Sequence, residues 1–148
     1  MMNEKWGSGN PKAHLPDLWY AMYDDHRYIK WTDTPKTPAA YLAASCNDDR
    51  GGNWPTIVGE WSISVADSVE WGPEFGLGVS GVKEWYRRWW AAQVLAYEKQ
   101  AGWVYWTWKA DWIAGREDWR WSYKGAVAAG AIPWDPAEAY TIRPCDGV

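Results

Sequence analysis

The sequence predicts an α/β fold made of βα units on a parallel sheet, and three observations predict it. Short apolar, β-branched or aromatic runs recur at Leu18 to Tyr23, Thr56 to Val58 and Trp103 to Trp108. Helical patterns separate them, at Thr37 to Ser45 and Val82 to Gln100. Titratable or aromatic residues follow the strands, at Asp24 to Tyr28 and at Glu60 and Trp61. In parallel α/β sheets the chemistry gathers at the carboxyl ends of strands.

The elements follow in order. Met1 to Gly9 holds no apolar signal core, and polar residues continue to Pro11, so the chain is expected to open inside a loop of something larger. Leu18 to Tyr23 is the first strand, with Asp24, Asp25, His26, Arg27 and Tyr28 beyond its end. Within that cluster His26 has two readings: it orients a carboxylate or a sugar hydroxyl, or it is a partly buried ring tied down by Asp24 or Asp25. Thr37 caps a short helix with Pro38 at its first position. Asn47 to Asn53 is a turn-rich loop.

Thr56, Ile57 and Val58 form the second strand, bounded by Pro55 and Gly59, with Glu60 at its carboxyl end. A carboxylate placed there, with Trp61 as an aromatic platform beside it, suits attack on a sugar carbon. The same carboxylate would equally serve as an acceptor for loop amides. Ser64 to Ser80 reads as an irregular loop, either a cleft wall or an excursion packed by its own aromatics. The helix from Val82 to Gln100 has one apolar face, Val82, Trp85, Trp89, Ala92 and Ala96, with Ser80 as its cap and Gly102 as its stop. Arg87 and Arg88 read as its solvated side. Trp103 to Trp108 alternates as a third strand, and Ser122 to Gly130 as a short helix.

Composition narrows the function. The 148 residues suffice for one domain with a sizeable core. A net charge of −4 argues against bulk nucleic-acid binding. No apolar run reaches the length of a membrane span. With 2 His and no Cys-His spacing, neither a metal nor another cofactor is predicted. Against 1 Phe stand 16 Trp and 9 Tyr. Their flat faces with polar rims suit stacking on pyranose rings, though protein interfaces use the same residues.

A complete (β/α)8 barrel takes about 250 residues, so three βα units make less than half of one. The run Ile57 to Ser62 resembles the nucleophile strand of glycoside hydrolase family 5, in its fungal β-glucanase branch. Asp25 to Tyr28 resembles that branch's sixth-strand His-x-Tyr motif, and Gly102 to Lys109 its eighth strand. Asp24 to Tyr28, Asp48 to Pro55 and Trp119 to Tyr123 are most similar to the endo-β-1,6-glucanases. The resemblance implies that residues 1–148 are the C-terminal part, about three βα units, of a TIM (β/α)8 catalytic barrel.

It also implies a retaining hydrolase acting on β-glucan polysaccharide or oligosaccharide, with Glu60 as nucleophile. His26 and Tyr28 match positions that support the nucleophile and the sugar beside it. Trp106 matches the aromatic floor under that sugar, with Trp108 as neighbour. The implied parent is extracellular and monomeric, without a nucleic-acid or membrane partner. Related β-glucanases staple their tail to the region after the sixth-strand helix, which implies a disulfide between Cys46 and Cys145. The alternative is two buried free thiols.

One departure stands out. The family's acid/base lies in an Asn-Glu-Pro motif, and this chain contains no Glu-Pro. Glu117 or Asp118 could in principle serve as the acid, but no pattern marks either for it. Three readings follow: a β-1,6-glucanase portion, with an exo-β-1,3-glucanase relative as its variant; a non-catalytic glucan-binding fragment; and a truncated product without a function of its own. Ser68, where β-1,3-cleaving relatives carry Cys, favours the β-1,6 form.

Overall fold

The structure, a computed structural model, describes residues 22–48, 55–110, 112 and 118–148. Three parallel strands lie side by side: β1 (Tyr23–Arg27), β2 (Thr56–Trp61) and β3 (Trp103–Tyr105). Helix α1 (Pro38–Cys46) connects β1 to β2, and α2 (Val82–Tyr97) connects β2 to β3. A six-residue helix, α3 (Tyr123–Ala128), follows β3. This is a small α/β architecture with parallel strands in sequential order.

The helices start and stop for local reasons. Thr37 accepts from the Ala40 amide at 3.3 Å, and Pro38 opens α1. Ser122 accepts from the Gly125 amide at 3.1 Å and caps α3. The cap expected from Ser80 is not made. The residue before α2 is Gly81 at φ +81°, a left-handed turn without a side-chain bond.

The predicted face of α2 is buried: Trp89 is 0% exposed, and Val82, Ala92 and Ala96 are nearly so. Trp85 stacks on Trp89 with ring centres 5.2 Å apart. Trp89 Nε1 donates to Ser45 Oγ at 2.9 Å, and Trp85 Nε1 to the Pro38 carbonyl at 2.9 Å, which locks α2 to α1. A buried indole N–H without such an acceptor would be costly.

The stretch after β2 also enters the core. Ile63, Val65 and Phe75 are wholly buried. Arg120, 2% exposed, fastens the Glu70 to Phe75 turn to the chain after β3. It pairs with Asp118 at 3.0 Å, donates to Tyr86 Oη at 2.9 Å, and donates to the Glu70 and Phe75 carbonyls. Its guanidinium lies 4.6 Å from the Trp119 ring centre. Asp118 is therefore committed to a buried ion pair and is not an acid facing a substrate. Glu117 lies outside the described residues.

Several expectations need correction. The first strand is Tyr23–Arg27, so the polar cluster sits on the strand rather than beyond it. Residues 18–21 lie outside the described residues, and Met22 is exposed. Pairing with β2, from Tyr23 opposite Thr56 to Arg27 opposite Trp61, decides this placement, not apolar content. The third strand stops at Tyr105 because the chain turns to a new partner. The Thr107 amide donates to the Trp121 carbonyl, and the Tyr123 amide to the Thr107 carbonyl at 2.8 Å. The Trp106–Thr107 peptide bond is cis. Arg87 and Arg88 are not merely solvated. Arg87 donates to the Gly130 carbonyl at 2.9 Å and Arg88 to the Pro144 carbonyl at 2.8 Å. They hold the C-terminal residues on α2, and Cys46 and Cys145 join by a disulfide, S–S 2.08 Å.

Candidate active site

Register along β2 builds the site. Asp25 is paired with Val58, and the next residue, His26, with Glu60. On the other side, Val58 is paired with Trp103 and Trp61 with Tyr105. Between matching rungs β2 thus holds one residue more than either neighbour, and Gly59 is the extra one. This is a β-bulge, and bulges re-aim the side chains that follow them. Thr56 and Val58 face the core at 4% and 2% exposure. Strict alternation would send Glu60 in after them. The bulge instead turns Trp61 into the core at 0% exposure and leaves the Glu60 side chain 29% exposed.

Trp61 is therefore no platform beside Glu60. Successive strand residues point to opposite faces, so the neighbour in sequence cannot share the carboxylate's face. Its ring packs edge-on against Tyr97, Trp103 and Tyr105, with centres 5.1 to 5.3 Å apart. Trp61 is a core residue and presents no face to a ligand.

Two β1-side residues reach Glu60. Tyr28 Oη donates to Glu60 Oε2 at 2.9 Å. His26 Nδ1 lies 3.4 Å from the same oxygen, and His26 Nε2 lies 3.3 Å from Asp24 Oδ2. The four side chains form one line: Asp24, His26, Glu60, Tyr28. Burial raises the Tyr28 phenol well above its usual range, and the hydrogen bond to Glu60 and the carboxylate's charge add to the rise. Tyr28 therefore stays protonated at neutral pH and remains a donor.

An aromatic wall adjoins this line. The Tyr28 ring lies 4.8 Å from Trp31 and 5.4 Å from Trp121. Trp31 is 54% exposed, whereas Trp121 is buried. Lys30, itself buried, sits 5.0 Å from the Trp121 ring centre and is held by Asp67 at 2.8 Å and Ser64 at 3.1 Å. Trp106 and Trp108 are exposed beyond β3, and Trp108 stacks on Tyr123 at 6.0 Å. The Trp106 amide donates to the Trp61 carbonyl at 2.8 Å, which ties that loop to the end of β2.

The structure thus brings Glu60, His26 and Tyr28 together, puts Trp106 and Trp108 in solvent, and removes Trp61. Trp31 has no place in the sequence expectations, whereas Asp24 is one of the two residues expected to tie His26 down, and it does so at 3.3 Å. Asp24 had a usable signal, because it lies two residues before His26 on the same strand face. Trp31 stands one short turn after Tyr28, in the 3-10 segment Ile29–Trp31.

No family model matches the chain. Curated relatives do match. The chain is 55% identical over 150 residues to glucan endo-1,6-beta-glucosidase B of Emericella nidulans, covering 98% of this chain and 34% of that protein. It is 49% identical over 145 residues to probable glucan endo-1,6-beta-glucosidase B of Neosartorya fischeri, covering 98% and 35%. A more distant match, 26% over 144 residues, is glucan 1,3-beta-glucosidase 2 of Wickerhamomyces anomalus, covering 73% and 34%. Over nearly its whole length the chain is a homologue of the fungal glucan endo-1,6-beta-glucosidases, and it spans about a third of their length.

Proposed function

We propose that this chain forms the nucleophile side of a retaining β-glucanase site, in the manner of glycoside hydrolase family 5. In this reading its three strands are part of a (β/α)8 barrel. The observation that carries it is the Glu60 carboxylate at the end of a parallel strand, with Tyr28 Oη and His26 Nδ1 on one oxygen. That leaves the other carboxylate oxygen to attack.

Retaining hydrolysis needs two carboxyl groups about 5–5.5 Å apart. Glu60 attacks the anomeric carbon and forms a glycosyl ester. A carboxylic acid on the opposite side protonates the departing oxygen, then as a carboxylate takes a proton from the water that cleaves the ester. We assign that second group to a segment outside these 148 residues, since the chain has no Glu-Pro pair and spans a third of its relatives. The substrate is β-1,6-glucan in fungal cell walls, and the complete enzyme works outside the cell. A glucan-binding role without catalysis is the second reading, favoured by the exposed Trp31, Trp106 and Trp108.

Two preparations separate the readings. One is the chain alone. The other is a chimera in which the chain replaces the matching third of the Emericella nidulans enzyme. The chain alone should release no reducing sugar from β-1,6-glucan, because proton donation alone contributes about 10²–10⁴-fold. The chimera should hydrolyse β-1,6-glucan in preference to β-1,3-glucan. A folded chimera that binds glucan without cutting it would leave the second reading. Turnover by the chain alone would mean that it holds its own acid.

A further inference from the structure

We propose that Lys30 is a positioning residue: its buried ammonium joins the chain after β1 to the chain after β2 and holds Tyr28 on the Glu60 carboxylate. Lysine is rarely buried unless it is paired, and Lys30 is only 6% exposed. It stands in the 3-10 segment Ile29–Trp31, two residues after Tyr28. Its ammonium donates across to the stretch beyond β2, to Asp67 Oδ1 at 2.8 Å and to Ser64 Oγ at 3.1 Å. The same Nζ lies 5.0 Å from the Trp121 ring centre and 5.5 Å from that of Trp31. Trp31 and Trp121 pack against the Tyr28 ring, with centres 4.8 and 5.4 Å from it, and Tyr28 Oη donates to Glu60 Oε2 at 2.9 Å. One cation thus joins three stretches of chain, after β1, after β2 and after β3, around the ring whose hydroxyl binds the carboxylate.

Stability is a weak reason for a charge in this place. Taking an ammonium out of water is costly, and apolar side chains of similar volume commonly replace a buried ion pair without loss. The Asp67 side chain is 79% exposed, so its attraction for Lys30 is screened by water. An ammonium supplies what an apolar end does not: N–H bonds with direction, here to Ser64 and Asp67, and attraction for the Trp121 ring. Ring contacts tolerate a wide range of spacings, about 4.5–7 Å between centres, whereas a hydrogen bond to one carboxylate oxygen does not. Lys30 narrows that range by drawing Trp31 and Trp121 to one fixed point, and Tyr28 with them. Without the ammonium the rings stay packed, the hydroxyl drifts from Glu60, and the carboxylate loses the contact that orients it.

The proposal rests on the reading of Glu60 as nucleophile, which Glu60→Gln tests by itself; the link from Lys30 to Tyr28 is read by a double-substitution cycle in the chimera. Lys30→Met keeps the length of the stem and removes the charge. Tyr28→Phe keeps the ring and removes the hydroxyl. Each should lower kcat on β-1,6-glucan by about 10–10²-fold with little change in KM, as expected for a misplaced group. The two effects should not add. In the Tyr28→Phe background Lys30→Met should change kcat by less than about twofold, because the hydroxyl it positions is gone. A lysine that only supports the fold would slow both backgrounds alike. Equal losses in the two backgrounds overturn the proposal, and so does either single variant at the parent rate. If Lys30→Met does not fold, Asp67→Ala removes the partner from the exposed side. It should lower kcat with the Tyr28 hydroxyl present and not without it, and a parent rate with the hydroxyl present overturns the proposal. Full activity of Glu60→Gln would remove the nucleophile reading instead, and the proposal with it.

Discussion

Glu60→Gln in the chimera is expected to lower β-1,6-glucan hydrolysis by about 10⁴-fold or more, the scale seen when a member of a catalytic unit is removed. The substitution is nearly isosteric, and its carbonyl oxygen can still accept from Tyr28 Oη. The Glu60 side chain is 29% exposed and lies off the core face, so the fold should survive. What is lost is the charge and nucleophilicity needed at the anomeric carbon. Glucan affinity should change little, which separates loss of chemistry from loss of binding. Hydrolysis within about tenfold of the parent rate would mean that Glu60 is only an acceptor at a strand end.

Replacing Cys46 or Cys145 by Ala is expected to cost up to about 4.7 kcal/mol of stability, the chain-entropy value for a loop of about 100 residues. The bond closes 99 residues, from the end of α1 to the chain's last residues, and so encloses β2, α2, β3 and α3. Without it, the C-terminal stretch is held on α2 by the Arg88 bonds to the Pro144 and Asp146 carbonyls and by the burial of Ala139. Hydrogen bonds from a charged donor contribute about 1.5–3 kcal/mol each, so these contacts keep part of the tail in place and the loop term is the upper bound on the loss. The measurement is the urea midpoint of the oxidised chain against the Cys145→Ala chain. An unchanged midpoint would contradict a bond in solution.

The helix Val82–Tyr97 and the buried start of β2 were legible because their signals are local. Apolar residues at three- and four-residue spacing need one face, and a β-branched run between Pro and Gly needs a strand. Glu60, His26 and Tyr28 could be named because their place follows from strand ends and motifs. The bulge could not be read with the same security. An isolated Gly in a strand pattern hints at one. Yet the register of Val58 and Trp61 against two neighbouring strands is a tertiary property. Trp61 was misread for this reason, as a surface platform when it is a core ring. The offset of β1 and the early end of β3 have the same origin: each follows from a partner distant in sequence, Pro55 and Thr56 for Tyr23, and Trp121 and Tyr123 for Thr107. The Cys46–Cys145 pairing came from resemblance alone, since neither cysteine's local sequence distinguishes a bonded from a free thiol.

The central claim is that Glu60 forms the covalent bond to sugar, and trapping that bond tests it most directly. A 2-deoxy-2-fluoro-glucoside with a good leaving group needs no proton from the acid to react. The fluorine then slows release of the sugar from the enzyme. The chimera treated with this reagent should lose activity and gain the mass of one fluoroglucosyl group, and peptide mass spectrometry should find it on the peptide containing Glu60. A label on any other residue, or full inactivation with Glu60 unmodified, would contradict the account.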